Sequence, residues 1–524
     1  MQNLLLYILM LTGLFASAMQ KPNVIIINVD NHSKSHLSCY GNRLNETPTI
    51  DRLYDEGMSF EEYQCASRCS ASRSALLSGK YHQRFGSIGT GDAREIMKAG
   101  EVTMIDYFNA NGYKTAMFGK WHNGYNYPFR PEDRGFHEVV EKGRAKDRSE
   151  TGKMAMKHMY RHNGKLEAYE GFRTDIWFQE TNKFIKANRD KPFFIYIPTW
   201  STHGPNFGPK EILQKYQAKA KALGIESNKE NDNLLNIGAE LESLDRNIAK
   251  TIDLLKELDL YENTIFIYMA DGPGAKAPKD FNPKKVQGSH IPFILHWAGG
   301  KVKVGNREET LVANIDVLPT LIDLCDLSSN GVFKEEGFDG QSTAAMIKEG
   351  FKTWQPRTYV SDHQSSRTSR EWGIVPLDRT TIHTPKGIFS WKKGKMKAGS
   401  SPELSEYAKN EWKKWWDSVS QDFPKFNYTV VGTKHENPSE IGGGYTLVDE
   451  FAGSGEKEYF AVEFANEGLY RIGTTSSKKG KVIIDGKAHE GTLPLEISIK
   501  KGQYLIYVDT GSGKGAGSLV IEKI

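Results

Sequence analysis

Residues 65–81, CASRCSASRSALLSGKY, hold Cys65 and Cys69, two of only four cysteines in 524 residues. Thiols at this spacing admit a metal knuckle, a disulfide, a nucleophile, or plain packing at a helix start. A zinc site needs a second close Cys or His pair, whereas Cys39 and Cys325 each stand alone. Nor do four scattered cysteines form a disulfide framework, which a chain of this size does not require. The small residues and Arg73 that follow predict a helix beginning near Ser70, capped by Ser70 or Ser72. A thiol at a helix start beside an arginine has a lowered pKa and faces a partial positive charge suited to an anion. A buried structural cysteine is the commoner use of such a position.

Three more candidates sit where apolar runs end. PNVIIINVDN runs into Asp30 and Asn31, KPFFIYIPTWSTHGP into His203, and NTIFIYMADGPG into Asp271. Near-continuous β-branched and aromatic runs predict strands buried on both faces. In open α/β sheets ligands sit beyond the carboxyl ends of such strands, so Asp, His and Asp are offered to one crevice. Taken singly, each Asp is more often a helix N-cap, and His203-Gly-Pro a loop end.

The elements that must position these residues alternate. Apolar residues at 237, 241, 244, 248, 252 and 255 form a helical stripe, TIDRLYDEGMSF contains a shorter helix, and NIDVLPTLIDLCDL one interrupted near Pro319. Strands alternating with helices predict an α/β fold with a doubly wound, mostly parallel sheet flanked by helices. After about residue 350 come a hairpin, TTIHTPKGIFSWKKGKMK, and a helix bearing Trp412, Trp415 and Trp416, as for a small α+β subdomain. These tryptophans suit a core better than a sugar platform. From about residue 430 short strands separated by glycine turns predict an appended β-sandwich.

A chain of this length divides into domains: 1–18, 19–350, 351–428 and 429–524. Residues 1–18 form an apolar run, Leu4 to Phe15, closed by Ala16-Ser17-Ala18, which predicts a cleaved export signal. The protein is therefore expected to be exported, periplasmic or secreted from a bacterium. No cysteine follows the cleavage site and no later run is long and apolar enough for a membrane helix, so no membrane anchor is expected. A net charge of +4 from 69 basic and 65 acidic residues argues against a nucleic-acid partner.

C-S-A-S-R-S-A-L-L-S-G resembles the signature of type I sulfatases, of the alkaline phosphatase-like superfamily, at Cys69, Ser72, Arg73, Leu77, Ser78 and Gly79; Ala71 stands where proline is usual. TAMFGKWHNGY resembles the family's second motif, with Lys120 and His122. PFFIYIPTWSTHGP resembles the one containing His203, and LDRNIAKTIDLLKELDLYENTIFIYMADGPG the stretch ending at the second metal pair. NIDVLPTLIDLCDL and DGQS complete the order, which spans residues 22–350.

The resemblance implies that Cys69 is oxidised by a formylglycine-generating maturation enzyme, and that the hydrated aldehyde attacks sulfur. It implies a Ca²⁺ ion, or Mg²⁺, held by Asp30, Asn31, Asp271 and position 69, ions that favour oxygen ligands. Arg73 and Lys120 would anchor the diol, His122 assist its proton chemistry, and His203 contact sulfate or protonate the leaving oxygen. A lysine, Lys284 in preference to Lys279 or Lys285, and His290 would bind substrate. The sequence departs from the pattern at Asn31, where Asp is usual, at Gly272, where Asn is usual, and at His290, where Arg is usual. The implied function is hydrolysis of sulfate esters, with a sulfated carbohydrate or polysaccharide as substrate. The alternatives are a phosphate or phosphonate ester hydrolase of the same superfamily and a catalytically inactive glycan-binding homologue. The β-rich tail could bind carbohydrate.

Overall fold

The computed structural model describes residues 21–523 except 88–95, 99, 126–128, 143–156, 283–288, 301, 303, 350–353, 355, 363–379, 393–394, 397–400, 420–428, 432–445, 452–458, 465–466, 475–478, 485–486, 501 and 510–516. Residues 1–18, expected from sequence to be an export signal, and Lys284 therefore lie outside the described residues.

The run NVIIINV forms β1 (Asn23–Val29), buried along its whole length. Its alternate residues face opposite sides, as a pleated strand requires. Ile25, Ile27 and Val29 pack with Ile176 and Trp177 of α4 (Arg173–Ala187) and with Leu241, Leu244, Ile248 and Ile252 of α6 (Lys229–Glu257). Val24 and Ile26 pack with Leu76 and Leu77 of α2 (Cys69–Ser78), Phe108 of α3 (Met104–Ala110) and Leu318 of α7 (Val317–Cys325). Helices thus cover both faces, and α1 (Pro48–Glu56) and α5 (Lys210–Ala222) join the first layer. The whole stripe from Ile237 to Leu255 is buried as its spacing predicts.

The other strands of this sheet are β2 (Met58–Gln64), β3 (Lys114–Gly119), β4 (Glu138–Glu141), β5 (Lys157–His162), β6 (Lys165–Glu170), β7 (Phe193–Pro198), β8 (Thr264–Ala270), β9 (Phe293–His296) and β10 (Asn306–Ala313). Their order is β10-β2-β9-β8-β1-β7-β3-β4-β5-β6. The middle five, β8-β1-β7-β3-β4, are parallel throughout. Antiparallel pairs occur at β2–β9, β8–β9, β4–β5 and β5–β6. The expected doubly wound, mostly parallel sheet is present. Pro319 does not interrupt its helix: it lies in the first turn of α7, where a missing N–H leaves no intrahelical bond unmade.

Beyond the sheet, strands Tyr359–Asp362, Thr380–Thr384, Gly387–Lys392 and Lys395–Met396 form a second sheet. Helix α8 (Pro402–Val419) buries Trp412 and Trp415 in a core shared with Ala75 of α2 and Tyr81. The C-terminal strands form a five-stranded and a four-stranded sheet. Val462, Phe464, Val482 and Ile506 of the first meet Tyr470, Ile472, Ile497 and Ile521 of the second in one core, the packing of a sandwich.

Candidate active site at the strand ends

The five parallel strands end at one edge of the sheet, and each delivers a polar residue there. In spatial order these are Asp271 after β8, Asp30 after β1, the 200–203 turn after β7, Lys120 and His122 after β3, and Lys142 after β4. Backbone hydrogen bonds stitch the ends together. The Asp30 N–H donates to Ser201 O (2.8 Å), Thr202 N–H to Asp30 O (2.7 Å), and Asp271 N–H to Val29 O (3.1 Å). Lys120 N–H donates to Pro198 O at 2.8 Å. This approach needs glycine at 119: its φ is +142°, and a Cβ there would lie 2.1 Å from Pro198 O.

Cys69 opens α2, whose ten residues are all buried. The serine caps expected from sequence are not formed. Arg68 is the N-cap, without a side-chain bond, because the helical ladder already starts with Ser72 N–H donating to Arg68 O at 2.7 Å. Ser74 turns its hydroxyl back to Ser70 O (2.9 Å), and the Asn314 amide donates to Ser72 O (2.8 Å). One ligand-capable atom from each of Asp30, Cys69 and His203 lies within 4.8 Å of the other two.

Arg73, one turn after Cys69, is fully buried. Its Nε donates to Asp271 Oδ2 at 2.8 Å, Nη2 lies 2.7 Å from the same oxygen and 3.6 Å from Asp30 Oδ2, and Nη1 donates to Lys120 O at 2.5 Å. Lys120 Nζ donates to Asp30 Oδ2 at 2.5 Å. Two carboxylates and two cations thus form a formally neutral buried set. Burial raises the Asp30 carboxyl, but Lys120, Arg73 and His203 outweigh it and bring it down to about 2. Asp271 moves the other way, raised by burial and by the Asp30 charge beyond what Arg73 and Lys120 offset. The pair shares its cations unequally, which keeps Asp30 the more strongly ionised member.

The lowered thiol pKa expected at Cys69 is not found; the thiol is pushed up to about 12. Burial is the largest cause, and the Asp30 and Asp271 charges add to it, while Lys120 and Arg73 pull the other way. The helix-terminus argument fails because burial of the thiol, helped by the two carboxylates, outweighs the pull of the cations. An unmodified thiol here is protonated at neutral pH and is a poor nucleophile.

His203 Nδ1 lies 2.8 Å from Gly204 O. A carbonyl only accepts, so Nδ1 carries the proton and the Nε2 lone pair is left for the site. His122 has a φ of +65°, a left-handed conformation costing about 1 kcal/mol or more in a residue other than glycine. It follows Trp121, which is fully buried and anchored by its indole N–H to Phe129 O at 2.8 Å. Asn31 also adopts a positive φ, +53°, and its N–H donates to Asp271 Oδ1 at 3.0 Å. A Cβ at Gly272 would lie 3.3 Å from Asn31 Oδ1, so the two positions are neighbours in space.

His290 lies against the segment that follows Asp30 and Asn31. Its carbonyl accepts from Lys34 N–H at 2.8 Å, and its pKa is lowered by burial and then by Lys276 and Lys34. Sequence reasoning passed over Trp200, whose ring lies 4.6 Å from Lys120 Nζ, 3.2 Å from Lys142 Nζ and 5.1 Å, centroid to centroid, from His203. Lys142 carried the same signal as Asp30, a polar residue directly after a strand, but behind a strand of only four residues. Asp339 of DGQS acts one layer out: its carboxylate accepts from Tyr81 N–H (2.8 Å) and Arg84, and its N–H donates to Gly79 O (3.1 Å), holding the end of α2.

A mostly parallel sheet whose strand ends bring a carboxylate pair, two buried cations and a helix-borne residue 69 together defines an alkaline phosphatase-like hydrolase architecture. The Sulfatase family model matches residues 22–327, and the chain belongs to that family. N-acetylgalactosamine-6-sulfatase of Rattus norvegicus is 27% identical over 369 residues, covering 62% of this chain and 66% of the relative, just short of two thirds of its length. N-acetylglucosamine-6-O-sulfatase of Bacteroides thetaiotaomicron is 23% identical over 492 residues, covering 75% of this chain and 84% of that protein. Among solved structures, Ps i-CgsB in complex with k-i-k-neocarrahexaose shares the fold with a TM-score of 0.60 at 20% identity, covering 78% of this chain and 96% of the other.

The sulfatase family generally implies a formylglycine and a divalent metal, and the residues present fit both. Asp30 Oδ1 is buried without a hydrogen-bond partner, the state of a carboxylate oxygen awaiting a cation. Asp30, Asp271 and the Asn31 carboxamide are hard oxygen donors, and an oxygen at position 69 would join them.

Proposed function

We propose that the protein is a sulfuric ester hydrolase acting on sulfated carbohydrate, with position 69 as nucleophile after conversion to formylglycine by a maturation enzyme. The observation that carries this reading is the convergence of Asp30, Cys69 and His203 within 4.8 Å beside the Arg73–Lys120 cation pair. The names of the N-acetylgalactosamine-6- and N-acetylglucosamine-6-O-sulfatase relatives support the substrate class. The formylglycine supplies an oxygen nucleophile and the bound cation, Ca²⁺ in this reading, a Lewis acid.

The remaining work belongs to the chain's own residues. Asp30, Asn31 and Asp271 hold the cation, with one carboxylate fewer than the family pattern. Arg73 fixes Asp271 and, through the Lys120 carbonyl, the turn that carries Lys120. Lys120 holds Asp30 ionised. His122 serves the proton at residue 69. His203, with Nδ1 committed to Gly204 O, faces the ester through Nε2: once protonated there it donates to the sulfate and delivers that proton to the leaving oxygen. Lys284 and His290 complete substrate binding in this proposal. The domain limits 1–18, 19–350, 351–428 and 429–524, export to the periplasm or medium through residues 1–18, and glycan binding by the C-terminal strands belong to the same reading.

Sulfate release from a panel of sulfated glycans, with matched phosphate esters alongside, tests it. The matured protein is expected to release sulfate, and Cys69→Ala to lose at least about a thousandfold in kcat/KM. Faster phosphate release would make it a phosphoesterase. Glycan binding without turnover, in protein whose residue 69 is formylglycine, would make it a binding protein.

A further inference from the structure

We propose that Glu240, paired with Arg173 between α6 and α4, is a positioning residue for the reaction: it holds the segment after His203 through the Phe207 N–H, and so sets how the His203 ring meets the ester. The inference rests on the sulfatase reading of His203 and adds to it a residue outside the site.

The need for a hold is the first ground. Upstream of His203 the turn is pinned to Asp30, whose carbonyl accepts from Thr202 N–H at 2.7 Å. Downstream, among the described residues, 204–208 make no backbone-to-backbone hydrogen bond, and α5 begins only at Lys210. His203 Nδ1 is bonded to Gly204 O at 2.8 Å, so a displacement of Gly204 carries the ring with it.

The second ground is what supplies the hold. Phe207 N–H donates to Glu240 Oε1 at 2.8 Å and Gly208 N–H to Asn236 Oδ1 at 3.1 Å, two acceptors one turn apart on α6. Loop and helix are in direct contact there: a Cβ at Gly208 would lie 2.2 Å from Ala239 Cβ. Asn206, which is buried, passes the hold back toward the site. In the orientation that satisfies its amide, the nitrogen donates to His203 O at 3.2 Å and to Thr202 O at 3.0 Å.

The third ground is that Glu240 is a poor choice for stability alone. It is fully buried, its Oε2 has no hydrogen-bond partner among the described residues, and burial pushes its carboxyl up to about 7 against the pull of Arg173 and the Phe207 N–H. An acid whose pKa is raised by folding costs stability above its unfolded value, so at neutral pH an apolar residue would serve packing better. Its Oε1 instead accepts from Arg173 Nη2, at 2.6 Å, and from Phe207 N–H, a charge-assisted set that joins α4, α6 and the loop at one atom.

The test uses the full-length protein. In the unmatured form, amide-resolved hydrogen exchange follows residues 206–208, with β7 as internal reference. Glu240→Met should speed exchange at Phe207 roughly 10- to 100-fold and leave β7 unchanged. Glu240→Gln, which keeps the shape and a neutral acceptor, should speed it only about threefold, and it decides the matter if the methionine variant does not fold. In the matured protein Glu240→Met should lower kcat for a sulfate ester with a poor leaving group roughly tenfold, with KM changed less than about threefold. In the His203→Ala background the same substitution should cost less than about twofold, because the ring it aims is gone. Exchange that rises equally in β7, or a loss as large without His203 as with it, would make Glu240 a support of the fold and overturn the proposal. So would unchanged exchange at Phe207 in both Glu240 variants. If no sulfate ester is hydrolysed, the sulfatase reading fails, and the exchange result alone decides whether Glu240 holds the His203 turn.

Discussion

Replacing Arg73 with methionine tests whether the neutral buried set holds the site together. The guanidinium is fully buried and reaches Asp271 twice, at 2.8 Å from Nε and 2.7 Å from Nη2. Methionine keeps much of the volume and removes the charge, leaving Asp271 buried without its closest cation. Breaking a buried pair from one side costs about 3–5 kcal/mol, a large part of the roughly 5–15 kcal/mol that holds a domain folded. Urea unfolding of the metal-free protein, followed by tryptophan fluorescence, should show a loss of that size at pH 8. The loss should shrink on acidification. Asp271 already sits above the ordinary carboxylate range through burial and Asp30, and without Arg73 it climbs further. An acid whose pKa is raised by folding destabilises above its unfolded value, and that penalty disappears as pH falls toward about 4. Arg73→Met combined with Asp271→Asn removes both ends of the pair while keeping a carboxamide oxygen for the Asn31 N–H. At least half the loss should return, since deleting both partners of a buried pair is far milder than deleting one. A single variant within about 1 kcal/mol of the wild type, or a double variant no more stable than the single, would refute the reasoning.

Three further outcomes follow from the same geometry. In protein produced without maturation, the Cys69 thiol at about 12 should react with iodoacetamide far more slowly than a free thiol at pH 7, the rate rising steeply with pH; rapid alkylation at neutral pH would contradict the burial argument. His203→Ala should slow esters with poor leaving groups at least about tenfold more than activated aryl sulfates, and equal losses on both would argue against a leaving-group role. Asn31→Asp, which places a third carboxylate at a positive-φ position that Asp tolerates, should tighten Ca²⁺ binding about tenfold by calorimetry; unchanged affinity would mean that residue 31 does not face the cation.

Much of the framework was legible in residue pattern. The run VIIINV could be covered only by helices on both faces, and the stripe at 237–255 supplied one of them. Strand-end chemistry placed Asp30, His203 and Asp271 at one edge because parallel strands bring their carboxyl ends together. The illegible parts depend on neighbours distant in the chain. Lys142 meets Trp200 because β3 lies between β4 and β7 in the sheet, an order no local pattern encodes. The Cys69 pKa went the other way from the helix-start argument because the folded chain buries the thiol and sets the Asp30 and Asp271 charges beside it, against the pull of Lys120 and Arg73. Asn31 and Gly272 are far apart along the chain, whereas in space the Asn31 carboxamide oxygen lies 3.3 Å from where a Cβ at 272 would stand.

The central claim is that residue 69 becomes the nucleophile, and the mass of the tryptic peptide spanning residues 69–73 tests it most directly. In a preparation that releases sulfate, the account predicts a peptide lighter than the cysteine form by the difference between H₂S and an oxygen atom, in a fraction that tracks specific activity. Full activity from protein whose peptide carries only unmodified Cys69 would contradict it.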